Sequence, residues 1–152
     1  MQQLNTAVDT LRTFLPEAYN PLYSTLTRNE YPVRDTDYVF RVLNRKKDVE
    51  RAFKLRYDVF CTELGVISPE QFPNQMECDE YDDNSIHCAL FESDEMVAYA
   101  RLILPCNAFP IENACTLPGD FQRSRTVEIS RGLVVQHKRR TDVLWQLMAN
   151  AY

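Results

Sequence analysis

Glycine is scarce in this chain, three residues in 152, and no Gly-rich phosphate-cradling run occurs. Histidine is scarcer: only His87 and His137 occur, and neither has a second ligand at binding spacing, so no metal is implied. The five cysteines (61, 78, 88, 106 and 115) are odd in number and contain no C-x-x-C pair. They read as small buried hydrophobes rather than as a disulfide framework. A catalytic cysteine would need one of the two histidines as its base. No apolar signal segment opens the sequence and no run reaches membrane-spanning length, so a reducing cytoplasm is the simplest expected location. A basic excess is missing as well: the net charge is −5, which argues against a general nucleic-acid binder.

The composition that remains is ordinary for a globular protein, 45% hydrophobic and 26% charged. At this length one domain is expected, burying roughly 70% of its unfolded surface. Basic residues gather in two short runs, Arg45-Lys46-Lys47 and Lys138-Arg139-Arg140.

Leu4, Val8, Leu11 and Leu15 recur at helical spacing, with Pro16 and Pro21 as breakers after them, so residues 1–36 read as a helical N-terminal extension. A second unit spans 37–152. "NEYPVRDTD" is a polar connector, and the alternating "YVFRVLN" (38–44) predicts a strand. Asn44 is placed to cap a helix over 46–64. Residues 65–84 form a long loop, a feature commonly functional. "IHCALFE" (86–92) and "EMVAYARLILP" (95–105) predict two strands joined by a tight Ser93-Asp94 turn. Residues 126–135 predict another strand, and "TDVLWQLMANAY" opens a helix. The order is that of an α+β or mixed α/β fold on a largely antiparallel sheet flanked by helices.

Three arginines fall where apolar residues belong. Val49, Ala52, Phe53, Val59 and Phe60 form one face of the helix, and Arg56 stands in that stripe. Arg101 lies between Tyr99 and Ile103 in a strand apolar on both faces, and Arg131 lies inside "EISRGLVV". Glu128 adds an inward group of opposite sign. Buried guanidinium groups need anions. The loop supplies them, packing five carboxylates into Glu77 to Asp83. Asp79 and Asp82 are the obvious partners, while Glu80 and Asp83 read as solvated. A calcium loop starting at Asp79 would want Gly and Glu where the chain has Asn84 and Leu90. A structural salt-bridge network and a functional site both remain open readings, and concentrated buried charge favours the second.

The motifs R-x-x-V-F (Arg56, Val59, Phe60), E-x-D-x-Y-D (Glu77, Asp79, Tyr81, Asp82), A-R-L-I-L-P (Arg101) and E-I-S-R (Glu128, Arg131) occur in this order. Together they resemble the autoinducer-synthase-like branch of the GCN5-related N-acetyltransferase fold, over roughly residues 38–140. Val66, where autoinducer synthases carry Trp, and the "FPIE" segment are more similar to the exosortase/PEP-CTERM-associated acyltransferases. Members of this branch continue through further strands, so the resemblance implies a partial domain whose C-terminal strands are missing.

The resemblance implies acyl transfer from a thioester, on acyl carrier protein or CoA, to the amine of a small molecule such as an amino acid or S-adenosylmethionine, with no permanently bound cofactor. It implies that the donor lies beside the strand at 126–135, contacting Val134 and Val135, with its phosphate near Lys138, Arg139, Arg140 and the N-terminus of the next helix. Those cations oppose the helix dipole unless an anion joins them. A solvated basic turn is the alternative. Glu128 is the expected base for the amine. Arg101 and Asp79 complete the expected catalytic set, and Arg56, Phe60, Asp82, Ser130 and Arg131 the acceptor site, where Asp79 and Asp82 would orient a cationic amine. Strand parity separates Ser130 from Arg131 unless a bulge at Gly132 resets it; N–H groups freed there would hold an oxyanion. The basic runs are expected docking points for an acidic carrier protein. An acyl-homoserine-lactone synthase using S-adenosylmethionine, and a truncated non-catalytic carrier-binding module, are the alternatives.

Overall fold

The computed structural model describes residues 30–34 and 36–151. Residues 1–29, which hold most of the expected helical extension, lie outside the described residues. Strands β1 (Glu30–Pro32), β2 (Tyr38–Val42), β3 (Ser85–Glu92), β4 (Glu95–Ile103) and β5 (Glu128–Val134) form one sheet in the order β1-β2-β3-β4-β5. Every pairing is antiparallel, so the sheet is a meander rather than mixed. β1 falls in the segment expected to be a polar connector. It is only three residues long and carries Pro32, which an edge strand tolerates because no central ladder needs its N–H. Its register, Glu30 opposite Arg41, is reinforced by an Arg41–Glu30 ion pair of 2.7 Å.

Helix α1 (Lys46–Arg56) packs on one face of the sheet, and α2 (Val143–Ala151) on the other. The α2 face buries Phe40, Val42, Cys88, Leu90 and Ala100 against Val143 and Leu147. The α1 face buries Ala89, Phe91, Tyr99 and Leu133 against Ala52 and Val59. Asn44 does not cap α1 as expected. Arg45 occupies the N-cap position in extended conformation, and no side chain bonds the first turn. Asp48 in that turn still complements the dipole.

The helix expected over 46–64 changes character at Arg56. Residues Tyr57–Glu63 continue it as a π-helix, with Leu64 N–H donating to the Val59 carbonyl at 2.9 Å. Wide turns of this kind concentrate at functional sites. Gly65, at φ +62°, supplies the left-handed residue that stops it. No helix among the described residues is long and apolar enough to cross a membrane.

Candidate active site

The expected convergence of charge occurs on the α1 face. Arg56 reaches it from the end of α1, and Arg101 from β4; both side chains are fully buried. Glu77, Asp79 and Asp82 enter from the loop before β3. Arg56 Nε donates to Glu77 Oε2 at 2.5 Å, and Nη1 to Asp82 Oδ1 at 2.6 Å. Arg101 bridges Asp79 and Asp82 through Nη1, at 2.9 Å to Asp82, and reaches Asp79 Oδ2 through Nη2 at 3.1 Å. Arg131 Nη2 lies 3.0 Å from both Glu77 Oε1 and Asp79 Oδ2. Three guanidiniums thus meet three carboxylates and the cluster is formally neutral, which is what permits its burial.

Burial acts to lower the pKa of both Arg56 and Arg101, but their carboxylate bonds outweigh it and raise both. Burial acts to raise that of Asp82, and the bond and charge of Arg56 carry it below the usual carboxylate value. Asp82 also accepts the Asp79 N–H at 2.8 Å, so both its oxygens are engaged. It is held inside the network, and any pull it exerts on a cationic amine is through its charge, as part of the cluster it shares with Asp79. Asp79 and Arg131 form the network's more open edge, with side chains 18% and 27% exposed.

Arg131 reaches this cluster because of a bulge. Arg101 pairs with Ser130 and Tyr99 with Leu133, so Arg131 and Gly132 together oppose Ala100. Arg131 has φ +53°, a left-handed conformation that disfavours a side chain by about 1–2 kcal/mol. The extra residue resets the alternation, letting Ser130 and Arg131 serve the same site. Ser130 Oγ accepts the Arg101 Nε–H at 3.0 Å.

Glu128 lies two residues before Ser130, opposite Ile103. Its carboxylate is half-buried and accepts the Ile111 N–H through Oε2 at 3.1 Å. Tyr81 stands close by, its ring 5.8 Å from the Arg101 guanidinium. Burial and then the charges of its neighbours, Asp79 and Glu128 among them, push its hydroxyl pKa up.

Beyond the bulge a cleft of about 460 Å³ opens along the edge of β5, within the size range of ordinary ligand sites. Val59, Phe60 and Leu64 form one wall, Gly132, Leu133 and Val134 the other, and Leu144 of α2 an end. Phe60 joins cleft to cluster, with the Arg131 guanidinium 6.0 Å from its ring. Lys138, Arg139 and Arg140 form the polar end. Lys138 is paired with Glu92 at 2.6 Å and Arg139 with Glu63 at 2.8 Å. Arg140 is exposed, with no described carboxylate partner. Val135 does not line the cleft as expected. Its N–H bonds the Val97 carbonyl at 3.0 Å and its side chain packs on the α2 face.

Three participants escaped the sequence reading. Glu77 is buried and grips two arginines; its signals were its place in the acidic run and in the E-x-D-x-Y-D motif, but it was not assigned to the site. His87 and Tyr99 lie on adjacent strands of the same face, Nδ1 and hydroxyl 2.7 Å apart, with the Tyr99 hydroxyl 3.5 Å from Arg56 Nη1. His87 Nε2 lies 3.2 Å from the Asp82 carbonyl. A carbonyl only accepts, so Nε2 carries the proton and Tyr99 donates to Nδ1. Burial holds the His87 pKa below its usual value.

The sequence profile of the acetyltransferase (GNAT) domain matches residues 55–149, a span that begins beside Arg56 and takes in every member of the charged cluster. The chain belongs to the GNAT acetyltransferase family. Its α+β sheet and flanking helices are those of a GNAT domain. Two solved structures of BjaI, a CoA-dependent acyl-homoserine lactone synthase, are similar to it at 30% identity. One contains SAM and isopentyl-CoA and matches at a TM-score of 0.55; the other contains MTA and matches at 0.53. Each match covers 70% of this chain and 53% of the synthase, so the GNAT chain spans about half the length of that relative. No curated protein matches its sequence.

Proposed function

We propose that this GNAT domain is an N-acyltransferase, moving an acyl group from a thioester to the amine of a small molecule. The observation that carries the reading is the Arg131–Gly132 bulge, with a cleft on one side and Glu128, Ser130 and the arginine–carboxylate cluster on the other. A thioester laid along the cleft would present its carbonyl at the bulge. An amine entering past Asp79 and Arg131 would meet it there.

The neutral amine attacks the carbonyl carbon, a C–N bond forms and the C–S bond breaks. Glu128 takes the proton lost by nitrogen and returns it, directly or through water, to the thiolate as that leaves, so the products are the amide and the free thiol. Backbone N–H groups released from regular pairing at the bulge stabilise the oxyanion. Arg101 fixes Ser130 and Asp79, and Arg56 anchors Glu77 and Asp82 behind them, so the cluster acts as a rigid floor.

BjaI is CoA-dependent, which favours an acyl-CoA donor for this chain. The exposed run Arg45-Lys46-Lys47, together with Arg140, keeps an acidic carrier protein as a second donor. Val66 and "FPIE" support the exosortase/PEP-CTERM-associated branch. The SAM and MTA in the BjaI structures favour a second reading, in which S-adenosylmethionine is the acceptor.

The test incubates the chain with acyl-CoA or acyl carrier protein and a panel of amines, S-adenosylmethionine included, and measures thiol release. Amine-dependent release supports transfer, and methylthioadenosine release marks the synthase. Binding without turnover would leave a non-catalytic module. Glu128→Gln is expected to slow transfer by ~100-fold or more; unchanged turnover removes it as the base.

A further inference from the structure

We propose that Glu112 and Arg123 form a clasp that positions Glu128, so that both are positioning residues for acyl transfer. This rests on the reading of Glu128 as the base.

The clasp lies in the irregular chain between β4 and β5. Phe109 anchors that segment, 1% exposed, with its ring edge-on to Phe121 at 6.2 Å. A 3-10 turn, Pro110–Asn113, comes immediately after it. Glu112 Oε1 reaches back to accept the Phe109 N–H at 2.8 Å and also accepts Arg123 Nε–H at 2.9 Å. Arg123 Nη2 bonds the other oxygen, making the pair bidentate. The hydrogen bond from Arg123 first, then that from Phe109, lower the Glu112 pKa to about 2, so the clasp stays charged across the working range. Arg123 opens a second 3-10 turn, Arg123–Arg125, that leads directly into β5 at Glu128.

The first N–H groups of a helical turn have no partner within it. Here the Ile111 N–H is aimed at one oxygen of Glu128. Among the described residues Glu128 makes no ion pair, and no described group bonds its Oε1. A carboxylate held by one oxygen and open at the other is what a directed proton acceptor requires. The clasp fixes both ends of this arrangement: Glu112 sets the turn that bears the Ile111 N–H, and Arg123 sets the segment that delivers Glu128. An ion pair exposed to this degree adds little to stability. Its consequence is directional.

The test has two arms, both on the full chain. Hydrogen exchange needs no substrate: Arg123→Ala and Glu128→Ala are each expected to speed Ile111 amide exchange roughly tenfold, and Arg123→Lys to restore much of the protection in the first case. Unchanged Ile111 exchange in Arg123→Ala overturns the clasp. In the transfer assay, with the acyl-CoA and amine that the panel identifies, Arg123→Ala is expected to lower kcat about tenfold without moving the donor KM. The double variant with Glu128→Gln should be no slower than Glu128→Gln alone. Additive losses, or a change in donor KM only, overturn the proposal. Wild-type turnover in Glu128→Gln would instead reject the base, with Ile111 exchange still reporting on the clasp.

Discussion

Arg101 and Ser130 stand opposite each other on β4 and β5, joined by a 3.0 Å hydrogen bond from Nε to Oγ. That bond couples the buried charge cluster to the strand that bulges at the next residue.

The cluster's buried half and its open edge should respond differently to mutation. Glu77→Ala leaves Arg56 short of one anion in a sealed site, and we expect a loss of about 3–5 kcal/mol. Arg131→Gln, at the open edge, should be milder by several-fold, because Glu77 keeps Arg56 and solvent reaches the gap. Urea unfolding of both variants checks the order; equal losses would contradict it.

Folding stability should fall as the pH drops below neutrality, in two stages. The folded-state pKa of His87 is depressed below 6.5, so below that pH the unfolded chain takes up its proton first and stability declines. Its surroundings include Asp82, Arg56, Arg101 and Tyr99, and burial is the largest influence. The Asp82 pKa lies below 3.8, so its contribution persists above that value and is lost as pH falls through the folded value. Urea midpoints from pH 8 to 3 measure both stages. His87→Gln should flatten the upper one and leave the lower.

Arg131 offers a clean comparison of strain with ion pairing. Arg131→Gly and Arg131→Ala remove the same carboxylate contacts, but only alanine retains the left-handed strain. The glycine variant should be the more stable by about 1 kcal/mol. Thermal unfolding of the two decides it, and a more stable alanine variant would mean the bulge relaxes.

The cleft can be obstructed without disturbing the fold. A Cβ added at Gly132 meets nothing within 4 Å, and the residue lines the cleft. Gly132→Phe should fold normally and raise the KM for an acyl-CoA donor by about tenfold or more. Arg140→Glu should raise the same KM, and the increase should shrink with added salt. An unaltered KM in both variants would place the donor elsewhere.

Much of this was legible from local pattern. The misfit of Arg56, Arg101 and Arg131 among apolar neighbours pointed to a shared site, and β3, β4 and the start of α1 fell near their expected bounds. β1 was missed because three residues with a proline carry no period. The π-helical continuation of α1 was missed because it changes hydrogen bonding without changing composition. Glu77, though part of the E-x-D-x-Y-D motif, was not assigned to the buried cluster, because one acid in a run of five looks like its neighbours.

Residue spacing was enough to mark Arg56 and Arg101 as buried charges, since a guanidinium on an apolar stripe is costly unless it finds an anion, and that cost is written into the pattern. It was also enough for the α+β order of elements, through periods of two and near four. Only in the folded chain is it settled which carboxylate meets which arginine, and that Asp82 is sealed inside while Asp79 stays at the edge. The turning of Arg131 toward the side that Ser130 serves belongs there too. Those outcomes depend on one extra residue in β5 and on how a long loop folds over α1, and neither a bulge nor a loop path has a repeating pattern that a sequence can display.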